Sequence, residues 1–232
     1  MDYAEIQGLI GLSRVDDERA RDVLDGLVSL WDDVLFREGI RGKEVYVFGC
    51  GPSLKEDFFR VVGGRADEDV LISVDGSIRL FMGESILPNF HVTDLDGDIP
   101  STIKANCEGV VTVVHAHGDN IAKLKDVVPE LEGTVFGTTQ VEPSKNVKNF
   151  GGFTDGDRAI YLAEHYKPKT IYLAGMDFGE EIGEYSGTFD PIRKKKKLYI
   201  GKKLLTELAG KTDVPIVNLT SGGVELENIP LK

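Results

Sequence analysis

Three aspartates alternate in Thr93-Asp94-Leu95-Asp96-Gly97-Asp98, and a glycine-rich turn, Gly49-Cys50-Gly51-Pro52-Ser53-Leu54, follows an apolar run. The turn reads as strand, tight loop and helix N-terminus. Its exposed N–H groups and the helix dipole favour an anion. A phosphate cradle facing a carboxylate cluster calls for a cation between them. Mg²⁺ is the default, being a hard ion habitually shared between carboxylates and nucleotide phosphates. In an extended chain Asp94, Asp96 and Asp98 would point one way; Gly97 is expected to bend the chain and bring some of them together. Asp94 and Asp96 are the expected ligands, with Asp98 third; Asp98 alternatively caps a helix opening near Ile99-Pro100. The turn lacks the third glycine of the dinucleotide fingerprint and the Gly-Lys-Ser/Thr of a Walker A loop. Its plain structural alternative is a strand-to-helix turn, and Pro52 suits the first helical turn.

Further polar clusters follow other apolar runs: Asp75-Gly76-Ser77, His115-Ala116-His117-Gly118-Asp119-Asn120, Gly137-Thr138-Thr139-Gln140 and Gly175-Met176-Asp177-Phe178-Gly179. His115, His117, Asp119 and Asn120 could form a metal set, but no second His/Cys cluster completes a zinc site. Substrate hydrogen bonding or outer-shell metal contact suits them better, with Asp119 or Asn120 doubling as a helix cap. In the stretch 149–158, Phe150 or Phe153 could stack on a planar heterocycle, and Asp155 or Asp157 could accept from an amino-amide ring edge. Thr154 and Asp155 are equally ordinary capping residues. A basic run, Arg193-Lys194-Lys195-Lys196-Lys197, stands out in an acidic chain, with Lys202 and Lys203 beyond it. Such a run is usually a solvated helix face. Residues 175–191 before it could form a lid that lowers lysines onto phosphates.

These clusters need elements to hold them. A helix is expected from Asp16 or Asp17 to about Arg37, after a separate short N-terminal element, with Ala20, Val23, Leu24, Leu27, Leu30, Trp31, Val34 and Leu35 on one face. Residues 1–40 then form a helical appendage packed on the main domain. From residue 41 onwards, strand-like runs at 44–48, 70–74, 90–93, 110–115, 134–136, 170–174 and 215–218 alternate with helical stretches. The helices are expected at 53–62, 77–82, 99–106, 120–127, 156–165 and 192–209. That alternation predicts an α/β domain with a mainly parallel sheet flanked by helices, Rossmann-like. Ligands in such sheets sit beyond the carboxyl ends of the strands, which is where the clusters fall.

A chain of 232 residues is one large domain or a domain with an appendage. Its net charge of −12 argues against broad nucleic-acid binding. Cys50 and Cys107 make no disulfide framework, and no apolar run approaches the ~20 residues of a membrane span. Residues 1–5 are acidic and lack the basic and apolar regions of a signal peptide. A cytoplasmic protein with reduced thiols is expected.

The set of segments at 49–54, 75–76, 93–98, 115–120, 151–158 and 175–177 resembles the archaeal-type 6-hydroxymethyl-7,8-dihydropterin diphosphokinases. The resemblance covers nearly the whole chain and is specific as a set rather than in any one motif. It implies a thiamine-diphosphokinase-like catalytic fold and transfer of diphosphate from ATP to the hydroxymethyl group of a reduced pterin, in folate or methanopterin synthesis. On that expectation Gly49, Gly51, Pro52, Ser53, Asp75, Gly76, Thr138, Asp155 and Asp177 serve the nucleotide side. Asp94, Asp96, Asp119, His117 and Lys195 carry the chemistry, and a homodimer is compatible with the related fold. The Gly-x-Gly-Pro-Ser-Leu loop also occurs in sialyltransferase-like and flagellin-modifying glycosyltransferases. A nucleotide-sugar glycosyltransferase, a thiamine diphosphokinase and a non-catalytic nucleotide-binding module are therefore the competing readings.

Overall fold

The computed structural model of the chain describes residues 1–179, 181–187 and 190–232. Its centre is a parallel sheet of β1 (Glu44–Phe48), β2 (Val70–Val74), β3 (Phe90–Thr93), β4 (Val111–Ala116), β5 (Val135–Thr139), β6 (Val147–Lys148), β7 (Thr170–Ala174) and β8 (Ile216–Asn218). The order is β6-β5-β4-β3-β2-β1-β7-β8. β2 and β5 are buried at every position, because helices cover both faces of the sheet. The expected α/β architecture is the one observed. Only β6, two residues long, has no counterpart among the expected strands.

The chain runs outward from β1 to β6 and returns to add β7 on the other side of β1. Strand order therefore reverses between β1 and β7. Loops leaving the two strands diverge there and open a crevice at their carboxyl ends. Phe48 pairs with Ala174, so the glycine turn after β1 and the Gly175 loop after β7 start side by side.

Helices α4 (Leu54–Val62), α5 (Ile78–Gly83), α6 (Ile99–Cys107), α7 (Ile121–Val127), α8 (Asp155–His165) and α9 (Pro191–Ala209) follow their strands. In α4, Leu54, Asp57, Phe58 and Val61 are buried, the spacing of one helical face. Among the described residues no helix is long and apolar enough to cross a membrane.

The N-terminal segment differs from its expected form. It is three helices, α1 (Tyr3–Ile10), α2 (Arg14–Asp25) and α3 (Asp33–Ile40), rather than a short element and one long helix. Ser13 caps α2 and Asp32 caps α3, accepting from Val34 N at 2.9 Å and Leu35 N at 3.0 Å. The apolar spacing ran across this break misleadingly, since Leu30 is 64% exposed. Trp31 lies in the connection and is core, as expected: it stacks on Phe36 and donates to Tyr166 Oη at 2.8 Å. Trp31, Phe36 and Ile40 belong to the same apolar cluster as the strands, while Ala20 and Leu24 pack with Val114 and Leu124. Phe36, fully buried, makes stacked ring contacts with Trp31, Phe90 and Tyr166. Truncation there would cost about 3–5 kcal/mol.

Candidate functional site

Asp75, Asp94 and Asp96 converge. Each offers one carboxylate oxygen, and the three oxygens lie within 4.8 Å of one another. They come from the loops after β2 and β3, which adjacent strands bring together. Two residues adopt backbone that L side chains seldom enter, Asp75 at φ 45° and Leu95 at φ 67°. Such strain costs on the order of 1–3 kcal/mol per residue and clusters at working sites. The bend that turns Asp96 back beside Asp94 is therefore at Leu95, and Gly97 is not among the positive-φ glycines.

Asp98 does not join them. Its Oδ1 accepts from Ser101 N at 2.9 Å and caps α6, so the capping alternative holds and Asp75 takes its place in the trio. Three carboxylates this close repel one another. Asp75 is pushed well above the usual carboxylate range, by burial first and then by the charges of Asp96 and Asp94. Asp96 is raised by burial and by Asp94. Burial works on Asp94 in the same direction, but His117 outweighs it and holds that carboxyl below its ordinary value. A hard divalent ion bound by oxygen would relieve this repulsion, so the donor set fits Mg²⁺.

His117 explains why Asp94 differs. Its Nε2 lies 3.2 Å from Asp94 Oδ2, and its Nδ1 accepts from Asp119 N at 3.3 Å. With Nδ1 accepting, Nε2 carries the hydrogen and donates to Asp94. Both nitrogens are occupied, which makes His117 a positioning group for Asp94 rather than a free base. Asn120 fixes the loop, donating from Nδ2 to the Asp94 and His115 carbonyls at 2.8 Å each. Asp119 is ion-paired with Arg193; that contact outweighs burial and lowers its pKa. Among the described residues the histidines join no metal cluster. His115 Nδ1 instead meets Thr138 Oγ1 at 3.2 Å. Thr138 is thus buried beneath His115 within β5 and does not line the cleft, where Gln140 takes its place.

The cleft over the trio is lined by Gly49, Gly51, Pro52, Asp75, Asp155 and Asp177, among others. Gly51 N donates to the Gly175 carbonyl at 2.7 Å. A Cβ at Gly51 would come within 1.9 Å of Asp177 Oδ2, so only glycine fits between the two loops. Gly76 is similarly restricted: a Cβ there would lie 1.9 Å from the Tyr185 carbonyl oxygen. Ser53 is buried and turned away from the cleft. Its hydroxyl lies 2.8 Å from Asp57 Oδ2 and 3.0 Å from Asp177 Oδ2, and its N–H points to the same Asp177 oxygen at 3.4 Å. Burial raises the Asp177 pKa against these hydrogen bonds.

The expected lid, 175–191, includes residues 180, 188 and 189, which lie outside the described residues. The described part covers the glycine turn: Ser186 Oγ donates to the Cys50 carbonyl at 3.3 Å, and Ile182 and Gly183 line the cleft. From α9, Arg193, Lys194 and Lys197 line the cleft, and Lys195 does not. A step of three residues keeps 194 and 197 on one helical face, and Lys195 sits about 100° round from Lys194. The same basic residues, with Lys123, line a second cavity on the Asp119 side of Asp94 and Asp96.

Of the two candidate stacking rings, Phe153 lines the cleft. Phe150 is committed to the core beside Trp31 and His165. Asp157 is likewise committed, accepting from Phe153 N at 2.6 Å and Thr154 N at 2.8 Å. Two further buried carboxylates escaped the sequence reading. Asp17, expected only as a possible helix start, accepts from Gly118 N at 2.7 Å, Gln140 Nε2 at 2.7 Å and Tyr3 Oη at 2.6 Å. Asp57 gathers Gly175 N, Ser221 N and Oγ, and Ser53 Oγ. Long-range partners of this kind leave no local sequence pattern.

Comparison with known proteins identifies the family. Residues 29–183 match the family described as 6-hydroxymethylpterin diphosphokinase MptE-like. The 6-hydroxymethyl-7,8-dihydropterin pyrophosphokinase of Methanothermobacter thermautotrophicus is 39% identical, the alignment covering 92% of this chain and 95% of the relative. That of Methanocaldococcus jannaschii is 36% identical, with 91% and 95% covered. A solved structure of the Maf glycosyltransferase from Magnetospirillum magneticum is similar in fold, with a TM-score of 0.55 at 16% identity. It matches 96% of this chain, which spans only 39% of that longer protein. The identity to the archaeal enzymes extends along almost the whole of both chains, and on that basis the chain belongs to the 6-hydroxymethylpterin diphosphokinase MptE-like family.

Proposed function

We propose that the cleft transfers diphosphate from ATP to the hydroxymethyl group of 6-hydroxymethyl-7,8-dihydropterin, with Mg²⁺ held by Asp75, Asp94 and Asp96. The observation that carries this reading is the carboxylate trio lying beside the Gly49–Gly51 turn in one cleft, under a basic helix face. The acceptor's hydroxyl oxygen forms a bond to the β-phosphorus of ATP. The bond from that phosphorus to the α–β bridging oxygen breaks, AMP leaves, and the hydroxyl proton passes to solvent. Bound Mg²⁺ supplies charge compensation at the phosphate oxygens.

This chain's own residues hold the reactants. The glycine turn lets phosphate oxygens approach the start of α4 closely. Its Gly49, Gly51 and Ser53 N–H groups are committed to the Ala174 and Gly175 carbonyls and to Asp177 Oδ2. That leaves the Cys50 N–H as the turn's available donor among the described residues. Lys194 and Lys197 face the same cleft and offset the charge of the transferred group. His117 keeps Asp94 ionised and oriented. In a loose transition state positioning and electrostatics dominate, so the occupied state of His117 and Asp119 is no obstacle.

The test is nucleotide product analysis. ATP, Mg²⁺ and hydroxymethyldihydropterin should give AMP and the pterin diphosphate, and thiamine should not substitute as acceptor. ADP formation, or turnover of a nucleotide sugar in place of ATP, would sink the proposal.

A further inference from the structure

The cleft contains two polar groups that the transfer scheme leaves unused. His115, at the end of β4, is 3% exposed. Its Nδ1 faces Thr138, while its Nε2 is buried and has no hydrogen-bond partner among the described residues. Burial keeps the ring neutral by pushing its pKa well below the ordinary histidine value. An orphaned buried nitrogen lining a cleft invites a ligand atom. Asp155 is the second group. It opens α8 and lines the same cleft, and its carboxylate accepts no hydrogen bond among the described residues. Its neighbour Asp157 is fully engaged, as described above. Phe153 and Met176 give the same cleft apolar surface for a flat ring.

We propose that Asp155 and His115 read the amino–amide edge of the acceptor ring, an assignment that rests on the pterin reading above. A pterin presents an exocyclic amino group and an adjacent ring N–H, two parallel donors, followed by an oxo acceptor. A carboxylate matches two parallel donors in a bidentate pair. Thr138 Oγ1 lies 3.2 Å from His115 Nδ1 and 3.4 Å from the Val114 carbonyl; in the tautomer whose Nδ1 accepts from the hydroxyl, the His115 Nε2–H meets the oxo group. Adenine fits this pair less well, because its amino group is flanked by acceptor nitrogens. Burial and the charges of Asp94, Asp75 and Asp96 raise the Asp155 pKa well above the carboxylate range. Two ring donors would favour its ionised form. The acceptor ring would then lie with its recognised edge on α8 and its hydroxymethyl group towards the trio.

The test compares two fluorescent ring compounds, 6-hydroxymethylpterin and 6-hydroxymethyllumazine, the second having an oxo group in place of the amino group. Binding is measured to the full chain with Mg²⁺ and α,β-methylene-ATP, whose own affinity is measured separately. The unaltered protein should prefer the pterin. Asp155→Asn presents one acceptor and one donor, so it should lose roughly tenfold or more for the pterin and reverse the preference towards the lumazine. His115→Leu should weaken both compounds alike, since both keep the oxo group. Nucleotide affinity should change less than about twofold in either variant. An unchanged ranking in Asp155→Asn, or a loss confined to the nucleotide, overturns the assignment. If the unaltered protein binds the nucleotide and neither ring compound, the pterin reading fails instead.

Discussion

Asp94 and Asp75 are chemically unequal although both belong to one trio. His117 donates to Asp94 and holds it charged, whereas Asp75 has no cationic partner among the described residues and is raised by burial and by its neighbours' charge. Asp94 should therefore be the residue whose amide variant is most damaging, and Asp96, presented beside it by the same loop, is expected to follow. In Asp94→Asn and Asp96→Asn we expect AMP release to fall by more than ~10²-fold with the far-UV circular dichroism unchanged. Near-normal turnover in either would remove it from the metal site. His117→Gln acts one shell further out and should cost about 10–100-fold. The lysines separate by face. Lys197→Ala should lower turnover and raise the KM for ATP, because Lys197 lines both cavities. Lys196→Ala, whose Nζ donates to the Leu9 carbonyl at 3.1 Å on the outside of the helix, should leave both constants within about twofold. Equal effects would mean that the basic run acts as a diffuse charge.

At the scale of elements, the sequence made the strands legible because buried parallel strands read as continuous apolar runs. β1, β2, β3 and β7 have their expected bounds. The clusters at strand ends were legible for the same reason, since topology alone puts them on one rim. What it could not show was which carboxylates converge. That depends on a strained turn at Leu95 and on which strands are neighbours, neither of which has a local signature. Asp17 and His91 show the same limit. His91, on β3, is fully buried between Ser73 Oγ at 2.9 Å and Thr102 Oγ1 at 3.1 Å, tying β2 to α6. Burial pushes its pKa from 6.5 down to about 4. The folded value lies below the unfolded one, so between these limits the unfolded chain holds the extra proton. Stability is complete above about pH 6.5 and is lost as pH falls towards 4, by about 3 kcal/mol from this residue. Urea unfolding at pH 7.5 and pH 5 should show about 2 kcal/mol of that loss in the unaltered protein and a smaller one in His91→Asn. Identical slopes would assign the acid sensitivity elsewhere. Asp17→Ala should destabilise by about 2–4 kcal/mol, leaving buried donors on Gly118 and Gln140 unpaired.

The whole molecule carries a net charge of −12 and gathers Asp75, Asp94, Asp96 and Asp155 about one cleft. Part of its folding free energy is therefore spent holding like charges together, as the raised pKa values of Asp75, Asp96 and Asp155 record. A ligand that binds only the folded state returns stability by mass action. Mg²⁺ at a hundredfold its Kd should add about 2.7 kcal/mol. For a chain of this size that is a rise of roughly 5–10 °C in Tm. Monovalent salt at matched ionic strength separates this from general screening of the net charge, which should give a smaller shift without saturation. Asp75→Asn sharpens the prediction because its two effects have opposite signs. Removing a repelled, half-buried carboxylate should stabilise the metal-free protein, while loss of a ligand should flatten its response to Mg²⁺. A variant less stable than the unaltered chain without metal, yet equally responsive to Mg²⁺, would show that Asp75 neither stores repulsion nor holds the ion.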